Sequence, residues 1–258
     1  MTKAFANHFA PLASHYASSR PTYPPELFDW LASRCAARDC VWDCGTGTGQ
    51  AAVDLSRVFA QVIATDASAA QIAEATPSAR IHYRVAPAEA SGLDDASVDL
   101  VVVAQALHWF DLDRFYPEAR RVLKPGGVIA AWCYGVLHVG DEGDEVDRIV
   151  QHFYRDEVGP WWPAERHHVE TGYRDLPFPF PPLPAPDFAL SAQWTPTHLL
   201  GYLRSWSATA RFMAANGFDP VERLSVPLLA AWGDPAQTRT VSWPLSLRVG
   251  RCSRQTLD

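Results

Sequence analysis

The stretch VWDCGTGTGQ, residues 41–50, places Gly45, Gly47 and Gly49 on alternate positions directly after a short apolar run. Glycine loses more backbone freedom on folding than any other residue, so a cluster of glycines is unfavourable unless the local geometry requires it. The usual requirement is a turn from strand to helix whose backbone must come close to a ligand. In open α/β sheets ligands bind at this edge, where the strands end. The stretch therefore predicts a ligand site within an α/β fold.

Strand-like and helix-like segments alternate around this turn, from about residue 40 to residue 134. Strands are expected at 40–44, 61–66, 80–86, within 97–107 and at 128–134. Helices are expected to begin near Pro25, Gln50, Ser68 and Leu112. The spacing of Ser68 and Gln71 is that of a capping box, which favours a helix start at this serine. Strands that alternate with helices imply crossover units and a parallel sheet.

The second half of the chain has a different pattern. Residues 141–157 are acidic and are predicted to form an amphipathic helix, and residues 198–214 are predicted to form another helix. Residues 239–251 alternate as a strand, and Pro244 within them predicts a sheet edge or a bend, because proline cannot donate to a strand ladder.

Nine prolines lie within residues 160–196, several of them in LPFPFPPLPAP (176–186). An extended segment that wraps around the domain is expected here, with Phe178 and Phe180 available as anchors. A ligand for a proline-binding partner protein is the alternative.

Composition limits the classes of partner. The 258 residues carry a formal net charge of −7, with 20% charged and 48% hydrophobic residues, which is ordinary for a globular domain. Because the chain lacks the basic footprint of a nucleic-acid binder, no nucleic-acid partner is expected. No apolar run approaches the roughly 18 residues of a membrane span, so no membrane partner is expected. We expect a cytoplasmic setting. A monomer and a weak dimer both remain open.

The cysteines and histidines do not indicate a metal site. The five cysteines are odd in number, scattered, and include no Cys-x-x-Cys pair, so neither a zinc site nor a disulfide framework is expected. His167 and His168 are adjacent, and adjacent residues rarely converge on one metal without further ligands. We therefore expect no metal.

Asp66, which ends the second predicted strand, suggests what the ligand is. A carboxylate beside the glycine turn can accept hydrogen bonds from both hydroxyls of a ribose, which indicates a nucleoside; capping of the next helix is the alternative role. The dinucleotide fingerprint Gly-x-Gly-x-x-Gly/Ala is satisfied by Gly47, Gly49 and Ala52, which would indicate a nicotinamide-dependent oxidoreductase. If the fingerprint begins at Gly47, Asp43 and Gly45 lie inside or just after the strand and have no role. Glycine also weakens a strand interior.

The whole run from Asp43 to Gly49 resembles the first motif of class I S-adenosylmethionine-dependent methyltransferases, Asp/Glu-x-Gly-x-Gly-x-Gly. The resemblance continues in order through APAEA (86–90), VDLVVVAQALHWF (98–110) and RVLKPGGVIAAW (121–132). A narrower resemblance, to the group that includes trans-aconitate methyltransferase, is carried by HYASSRPTYP (15–24), AQALHWFD (104–111) and LRSWS (203–207). It implies a small-molecule acceptor and leaves the identity of that acceptor open.

The resemblance implies an α/β, Rossmann-like fold with a mostly parallel seven-stranded sheet, its last strand antiparallel, helices on both faces and a cap insertion. We expect one domain made of an N-terminal arm and helix, a cofactor-binding core, a cap and a C-terminal part that completes the sheet (1–37, 38–137, 138–190 and 191–258). The arm and the cap are expected to cover the active site.

The resemblance also implies S-adenosyl-L-methionine as the cofactor. Asp66 is expected to bind its ribose, Asp43 its ammonium group and Gln105 its methionine end. Arg20 is expected to pair with the cofactor carboxylate, with Tyr16 closing over the site, although a surface arginine in an N-terminal arm is the alternative. The full set of expected cofactor contacts is Tyr16, Arg20, Asp43, Gly45, Thr46, Gly47, Gly49, Asp66, Ala67, Ala88, Glu89 and Gln105.

One position departs from the family pattern. Many members have an acid after strand three that accepts a hydrogen bond from the adenine amino group, and Pro87 stands at that position here. Adenine recognition is therefore expected to fall to the backbone amide of Ala88 and to apolar contact from Ala67.

His108 and Trp109 follow the fourth strand, where the methyl group of the cofactor is expected to point, and are the expected catalytic residues. An aromatic face can stabilise a cationic sulfonium, and a histidine can act as a general base. A loop-ordering hydrogen bond is the alternative for His108, and core packing is the alternative for Trp109. Four further tryptophans either wall an acceptor pocket or form the core of the cap, namely Trp161, Trp162, Trp194 and Trp206.

These observations favour an enzyme that transfers the methyl group of S-adenosylmethionine to a small organic acceptor by direct displacement. A nicotinamide-dependent oxidoreductase is one alternative, and a non-catalytic protein that binds the cofactor in a regulatory role is another. The sequence does not determine whether the acceptor atom is oxygen, nitrogen, sulfur or carbon.

Overall fold

A six-stranded sheet forms the centre of the computed structural model, which describes residues 21–141 and 143–253. Its strand order is β3-β2-β1-β4-β5-β9, and a second sheet has the order β6-β8-β7. The strands are β1 (Cys40–Cys44), β2 (Gln61–Asp66), β3 (Ile81–Val85), β4 (Val98–Ala104), β5 (Leu123–Tyr134), β6 (His138–Val139), β7 (Leu190–Trp194), β8 (Arg239–Trp243) and β9 (Leu245–Arg251).

The helices lie between the strands of the first half and dominate the second half. They are α1 (Pro25–Arg34), α2 (Gln50–Val58), α3 (Ala69–Ala73), α4 (Leu112–Val122), α5 (Glu145–His152), α6 (Arg166–Glu170), α7 (Pro196–Arg204), α8 (Ser207–Asn216) and α9 (Pro220–Trp232). Short 3₁₀ turns at 107–109 and 159–161 and a π-type turn at 153–157 join some of them. None of these helices has the length and apolar character needed to cross a membrane.

The pairing of the central sheet confirms the expected topology. Strands β1 to β5 run parallel, and β9 pairs antiparallel with β5. The expected number of seven strands is wrong for the described residues, in which the sheet has six. The chain between β5 and β9 forms the second sheet and its helices and adds no strand to the central sheet.

Successive side chains of the central strands enter two separate cores, because strand side chains alternate between faces. Val41, Leu100 and Val102 face one core together with α1 and α2. Trp42 and Val101 face the other core together with α4. The near-continuous apolar runs of β1 and β4 therefore reflect strands that are covered on both faces, as the sequence predicts.

Pro244 lies at the junction of the two sheets. The segment 239–251 is predicted to be one strand with a possible bend, and in the structure β8 ends at Trp243 and β9 begins at Leu245. Since proline lacks the amide needed for a ladder bond, the chain changes from the second sheet to the central sheet here. Of residues 191–253, only β9 joins the central sheet.

The predicted helix at 198–214 is two helices. The chain leaves the helical conformation at Trp206, which precedes α8 with extended backbone angles. Ser205 ends α7, and its hydroxyl donates to the carbonyl of Tyr202 at 2.6 Å. The break places Trp206 against Tyr154 and Trp162 in the second half of the molecule.

The proline-rich segment wraps along the outer edge of β9, as expected. The amide of Leu183 donates to the carbonyl of Val249 at 2.8 Å, and the amide of Arg251 donates to the carbonyl of Pro181 at 3.0 Å. Phe180 is buried against Tyr116, with ring centroids 5.7 Å apart. An open strand edge is a template for unwanted pairing, and this segment covers it.

We predict that Phe180→Ala destabilises the protein by about 3 kcal/mol, because truncation of a buried phenylalanine removes apolar burial and leaves a cavity. Chemical denaturation of the purified variant measures this difference. The matched control is Val226→Ala on the exposed surface of α9, where the side chain is 71% exposed and a change within about 0.5 kcal/mol is expected. Equal effects of the two substitutions would show that Phe180 does not anchor the wrap.

Candidate functional site

The three glycines of the first turn have positive φ angles of 70°, 57° and 87°, a region that other residues enter at a cost. Their surroundings differ. A Cβ on Gly45 would lie 2.6 Å from the Cβ of Ala106, and a Cβ on Gly49 would lie 2.2 Å from the hydroxyl of Tyr83. A Cβ on Gly47 would meet nothing closer than Gln71 Oε1 at 3.7 Å. Packing against Ala106 therefore excludes a side chain at Gly45, and the ring of Tyr83 occupies the space at Gly49. Of the three, only Gly47 leaves open space for a ligand.

A cleft of about 360 Å³ opens at this turn, beside the carboxyl ends of β1, β2 and β4. Among the described residues its wall consists of Thr22, Tyr23, Gly45, Thr46, Gly47, Thr48, Gln50, Ala51, Val53, Asp54, Arg57, Asp66, Ser68, Gln71, Thr76, Ala104, Gln105, Ala106 and Trp109. The wall thus combines backbone of the glycine turn, polar side chains of α2 and α3, and the residues that follow β4.

Asp66 joins the two neighbouring strand ends. Its Oδ2 accepts from the amide of Gly47 at 2.9 Å, and its Oδ1 accepts from the amide of Ser68 at 2.8 Å. Burial raises the pKa of this carboxyl, and the two amide bonds oppose the rise. Each carboxylate oxygen can accept more than one hydrogen bond, so both oxygens keep capacity for a ligand in the cleft.

Asp43 lies beneath the turn and has no solvent exposure. Its Oδ2 accepts from the hydroxyl of Thr46 at 2.5 Å, whereas its Oδ1 has no hydrogen-bond partner among the described residues. Burial raises the pKa of this carboxyl to about 7. The hydrogen bond from Thr46 and the backbone amide of Ala52 oppose the rise, and the charge of Asp66 adds to it. A buried polar atom without a well-formed hydrogen bond is costly, so Oδ1 keeps capacity for a further donor.

Gln71 carries a second acceptor of this kind. Its side chain lines the cleft beside Gly47, and its Oε1 is buried with no hydrogen-bond partner among the described residues. The sequence predicts only that Gln71 belongs to a capping box. The structure agrees, since the backbone amide of Gln71 donates to the hydroxyl of Ser68 at 3.4 Å. No sequence pattern marked its side chain as a ligand contact.

Gln105 connects the cleft with a second cavity. Its φ of 58° is unusual for a residue other than glycine, and such strain often accompanies function. The side chain is fixed by two 3.2 Å hydrogen bonds to the backbone of Tyr134, one donated and one accepted. Gln105 and Trp109 line both spaces.

The second cavity, of about 100 Å³, is rich in aromatic side chains. Its wall among the described residues consists of Gln105, His108, Trp109, Tyr134, Trp162, Pro163, Arg166, Val169, Tyr202, Ser205, Trp206 and Ser207. Two of the four tryptophans singled out in the sequence, Trp162 and Trp206, belong to this wall. The other two, Trp161 and Trp194, pack in the larger core.

His108 faces this cavity as a neutral imidazole. Its Nδ1 lies 2.8 Å from the hydroxyl of Tyr173. Burial, with a further contribution from the positive charge of Arg166, lowers the pKa of His108 to about 3. An imidazole with this pKa is a weak base at neutral pH.

Several predicted cofactor contacts are not on the wall of the cleft. Ala67 is exposed, Ala88 is buried in the α4-side core, and Glu89 accepts from the amide of Asp111 at 2.9 Å. Tyr16 and Arg20 lie outside the described residues. Within the described ranges no group of three or more His, Cys, Asp or Glu side chains is arranged to hold a metal ion.

Comparison with known proteins shows the family to which the chain belongs. The methyltransferase-domain family model matches residues 42–131. A protein of Dictyostelium discoideum described as a methyltransferase is 33% identical over 229 residues, which cover 88% of this chain and 87% of that protein. An uncharacterized methyltransferase of Mycobacterium bovis is 36% identical over 181 residues, covering 64% of this chain and 70% of that protein.

Among solved structures, a candidate type II methyltransferase from Anaeromyxobacter dehalogenans is 46% identical, with a TM-score of 0.84. The match covers 92% of this chain and 99% of that one. It includes the parts outside residues 42–131, so the likeness extends well beyond the glycine turn. The chain belongs to the class I S-adenosylmethionine-dependent methyltransferases.

Proposed function

We propose that the enzyme transfers the methyl group of S-adenosylmethionine to a small organic acceptor that is bound in the aromatic cavity. The observation that carries this proposal is the junction of the two spaces at Gln105 and Trp109. A polar cleft and a small aromatic cavity that share two wall residues suit a nucleoside cofactor and an acceptor that must meet at one point.

The cleft fits the cofactor in three respects. Asp66 keeps acceptor capacity for ribose hydroxyls, and Gln71 offers a buried acceptor beside Gly47 that has no partner among the described residues. The open space at Gly47 allows a ligand to lie against the backbone. Asp43 is not on the wall, so we propose that it acts on the cofactor ammonium group through water or through Thr46.

The cofactor, when bound, supplies a methyl group on a sulfonium, which is already a good electrophile. The protein's own task is to hold the acceptor near and in line, and to exclude water. Trp109 and Gln105 stand where the two spaces meet, and Trp162 and Trp206 close the acceptor side.

We propose that His108 orders the acceptor and does not act as a general base. A base works best when its pKa lies near the operating pH, and burial lowers the pKa of His108 to about 3. The proposal favours acceptors that need no deprotonation by this residue.

The adenine contacts assigned to Ala67, Ala88 and Glu89 and the clamp by Tyr16 and Arg20 remain predictions, as does the narrower resemblance to trans-aconitate methyltransferase.

The nicotinamide alternative depended on Gly47, Gly49 and Ala52 as a dinucleotide fingerprint. The space next to Gly49 is filled by Tyr83, so that glycine serves packing instead of ligand approach. Asp43, which the dinucleotide fingerprint leaves unused, accepts a hydrogen bond from Thr46 beneath the turn and so belongs to the same motif as the glycines. Both observations support the methyltransferase interpretation.

The first test uses methyl-labelled S-adenosylmethionine with a deproteinised metabolite extract. We expect a labelled small molecule to appear with the protein and not with the heat-inactivated protein. Binding of the cofactor without any transfer of label would support the non-catalytic alternative. A rise in melting temperature with a nicotinamide dinucleotide, and none with S-adenosylmethionine, would contradict the cofactor assignment.

We predict that Asp66→Asn weakens S-adenosylhomocysteine binding by about 10- to 100-fold, because hydrogen bonds to a charged acceptor contribute about 1.5–3 kcal/mol. Isothermal titration calorimetry measures the affinity. Glu74→Gln is the control, since it removes the same charge from an exposed position just after α3, and less than a threefold change is expected. Unchanged affinity in the Asp66 variant would remove this carboxylate from the binding site.

We predict that S-adenosylmethionine binds more weakly as the pH falls below about 7, by up to tenfold per unit between pH 7 and 5.5. The raised pKa of Asp43 means that the free protein holds a proton there at low pH. A cationic cofactor lowers this pKa in the complex, so binding releases the proton and becomes less favourable as the proton concentration rises. Above pH 7 the effect disappears, because the carboxyl is already ionised.

Calorimetry in two buffers of different ionisation enthalpy counts the released proton. Asp43→Asn should remove both the pH slope and the proton release while the variant still melts cooperatively. The same slope in this variant would mean that another group titrates.

A further inference from the structure

Arg166 presents a cation to the aromatic cavity. Its guanidinium carbon lies 4.7 Å from the ring centroid of Trp162 and 5.4 Å from that of Tyr154. Its Nε donates to the hydroxyl of Tyr154 at 2.8 Å, and that hydroxyl in turn donates to Glu170. Arg166 pairs directly with no carboxylate among the residues that the structure describes. Its remaining guanidinium donors are therefore available to a ligand.

Trp162 adds a second donor at the same place. Its Nε1 is buried and has no hydrogen-bond acceptor among the described residues, although its ring lies on the cavity wall beside Arg166. Buried polar groups are almost always hydrogen-bonded, so an N–H without a partner beside a cation indicates a missing acceptor. Both groups can donate to a ligand atom that accepts hydrogen bonds.

The rest of the wall does not supply a negative charge. The described residues that line the cavity include no aspartate and no glutamate. The nearest carboxylate to the arginine in the hydrogen-bond chain is Glu170, which is separated from it by the Tyr154 hydroxyl. His108 is neutral, so Arg166 gives the described part of this cavity a net positive charge.

We propose that the acceptor carries an anionic oxygen group, a carboxylate or a phosphate, which is anchored by Arg166 and Trp162. A guanidinium presents a planar pair of donors that matches both groups, and the indole N–H adds a third donor. The proposal rests on the assignment of this cavity to the methyl acceptor. Arg166 and Trp162 lie in the expected cap, whereas Gln105 and Trp109 mark the junction with the cofactor cleft. The anionic group therefore holds one end of the acceptor. The atom that is methylated lies toward the other end.

The test uses three probes of similar shape on the protein saturated with S-adenosylhomocysteine: benzoate, phenyl phosphate and the neutral benzamide. We expect at least one of the two anions to bind ten times more tightly than benzamide, by calorimetry or ligand-observed NMR. Benzoate and phenyl phosphate separate the two sources of the anionic group. Arg166→Gln should reduce anion affinity at least tenfold and leave benzamide and S-adenosylhomocysteine unchanged.

Arg155→Gln is the matched control. Arg155 is exposed on the π-type turn, so this substitution removes the same formal charge outside the cavity. Anion affinity should change less than threefold in this variant. Trp162→Phe keeps the aromatic wall and removes the N–H, and should weaken the anions by about threefold.

Three results overturn the proposal: benzamide binds as well as the anions, neither anion binds at 10 mM, or Arg166→Gln retains the anion preference. Failure of S-adenosylhomocysteine to bind would instead contradict the proposed function. The probes can then be titrated against the protein alone, so the two failures remain distinguishable.

Discussion

The site depends on the hydrogen bonds that join the end of β1 to the end of β2. The carbonyl of Thr65 accepts from the amides of Gly45 and Thr46, at 2.8 and 2.9 Å, and the carboxylate of Asp66 accepts from Gly47. These bonds hold the turn in its left-handed conformation and orient Asp66 at the edge of the cleft. This carboxylate both stabilises the turn and lines the cleft, so we expect loss of its charge to affect folding and ligand binding together.

Much of this half of the fold was predictable because its determinants are local. The apolar runs of β1 and β4, the serine cap of α3 and the alternation of strands and helices each depend on residues that are close in sequence. The reason for the glycines was only partly predictable. The ring of Tyr83, a residue of β3, fills the space beside Gly49 through tertiary packing, and sequence spacing carries no information about this contact.

The aromatic cavity was less predictable for the same physical reason. His108 lies 65 positions before Tyr173, and their 2.8 Å contact leaves no periodic pattern in the chain. The break after α7 contains neither glycine nor proline, so residues 198–214 read as one helix, although Trp206 can reach the cavity only because the helix stops. The division of the predicted strand 239–251 is marked in the sequence by Pro244, but the pairing of β8 with β6 and β7 depends on residues that are distant in the chain.

These differences divide the site into two parts with different constraints. The cofactor cleft is built from consecutive turns at one sheet edge, where a change in one glycine alters backbone conformation and packing together. The far wall of the aromatic cavity is built from side chains of α6, α7 and the turns around them, which meet the core mainly at Gln105, His108 and Trp109. A substitution at Arg166 or Trp162 changes the charge and hydrogen bonding of that wall without touching the glycine turn. Under the function that we propose, the choice of acceptor can therefore change through this wall while the cofactor cleft remains the same.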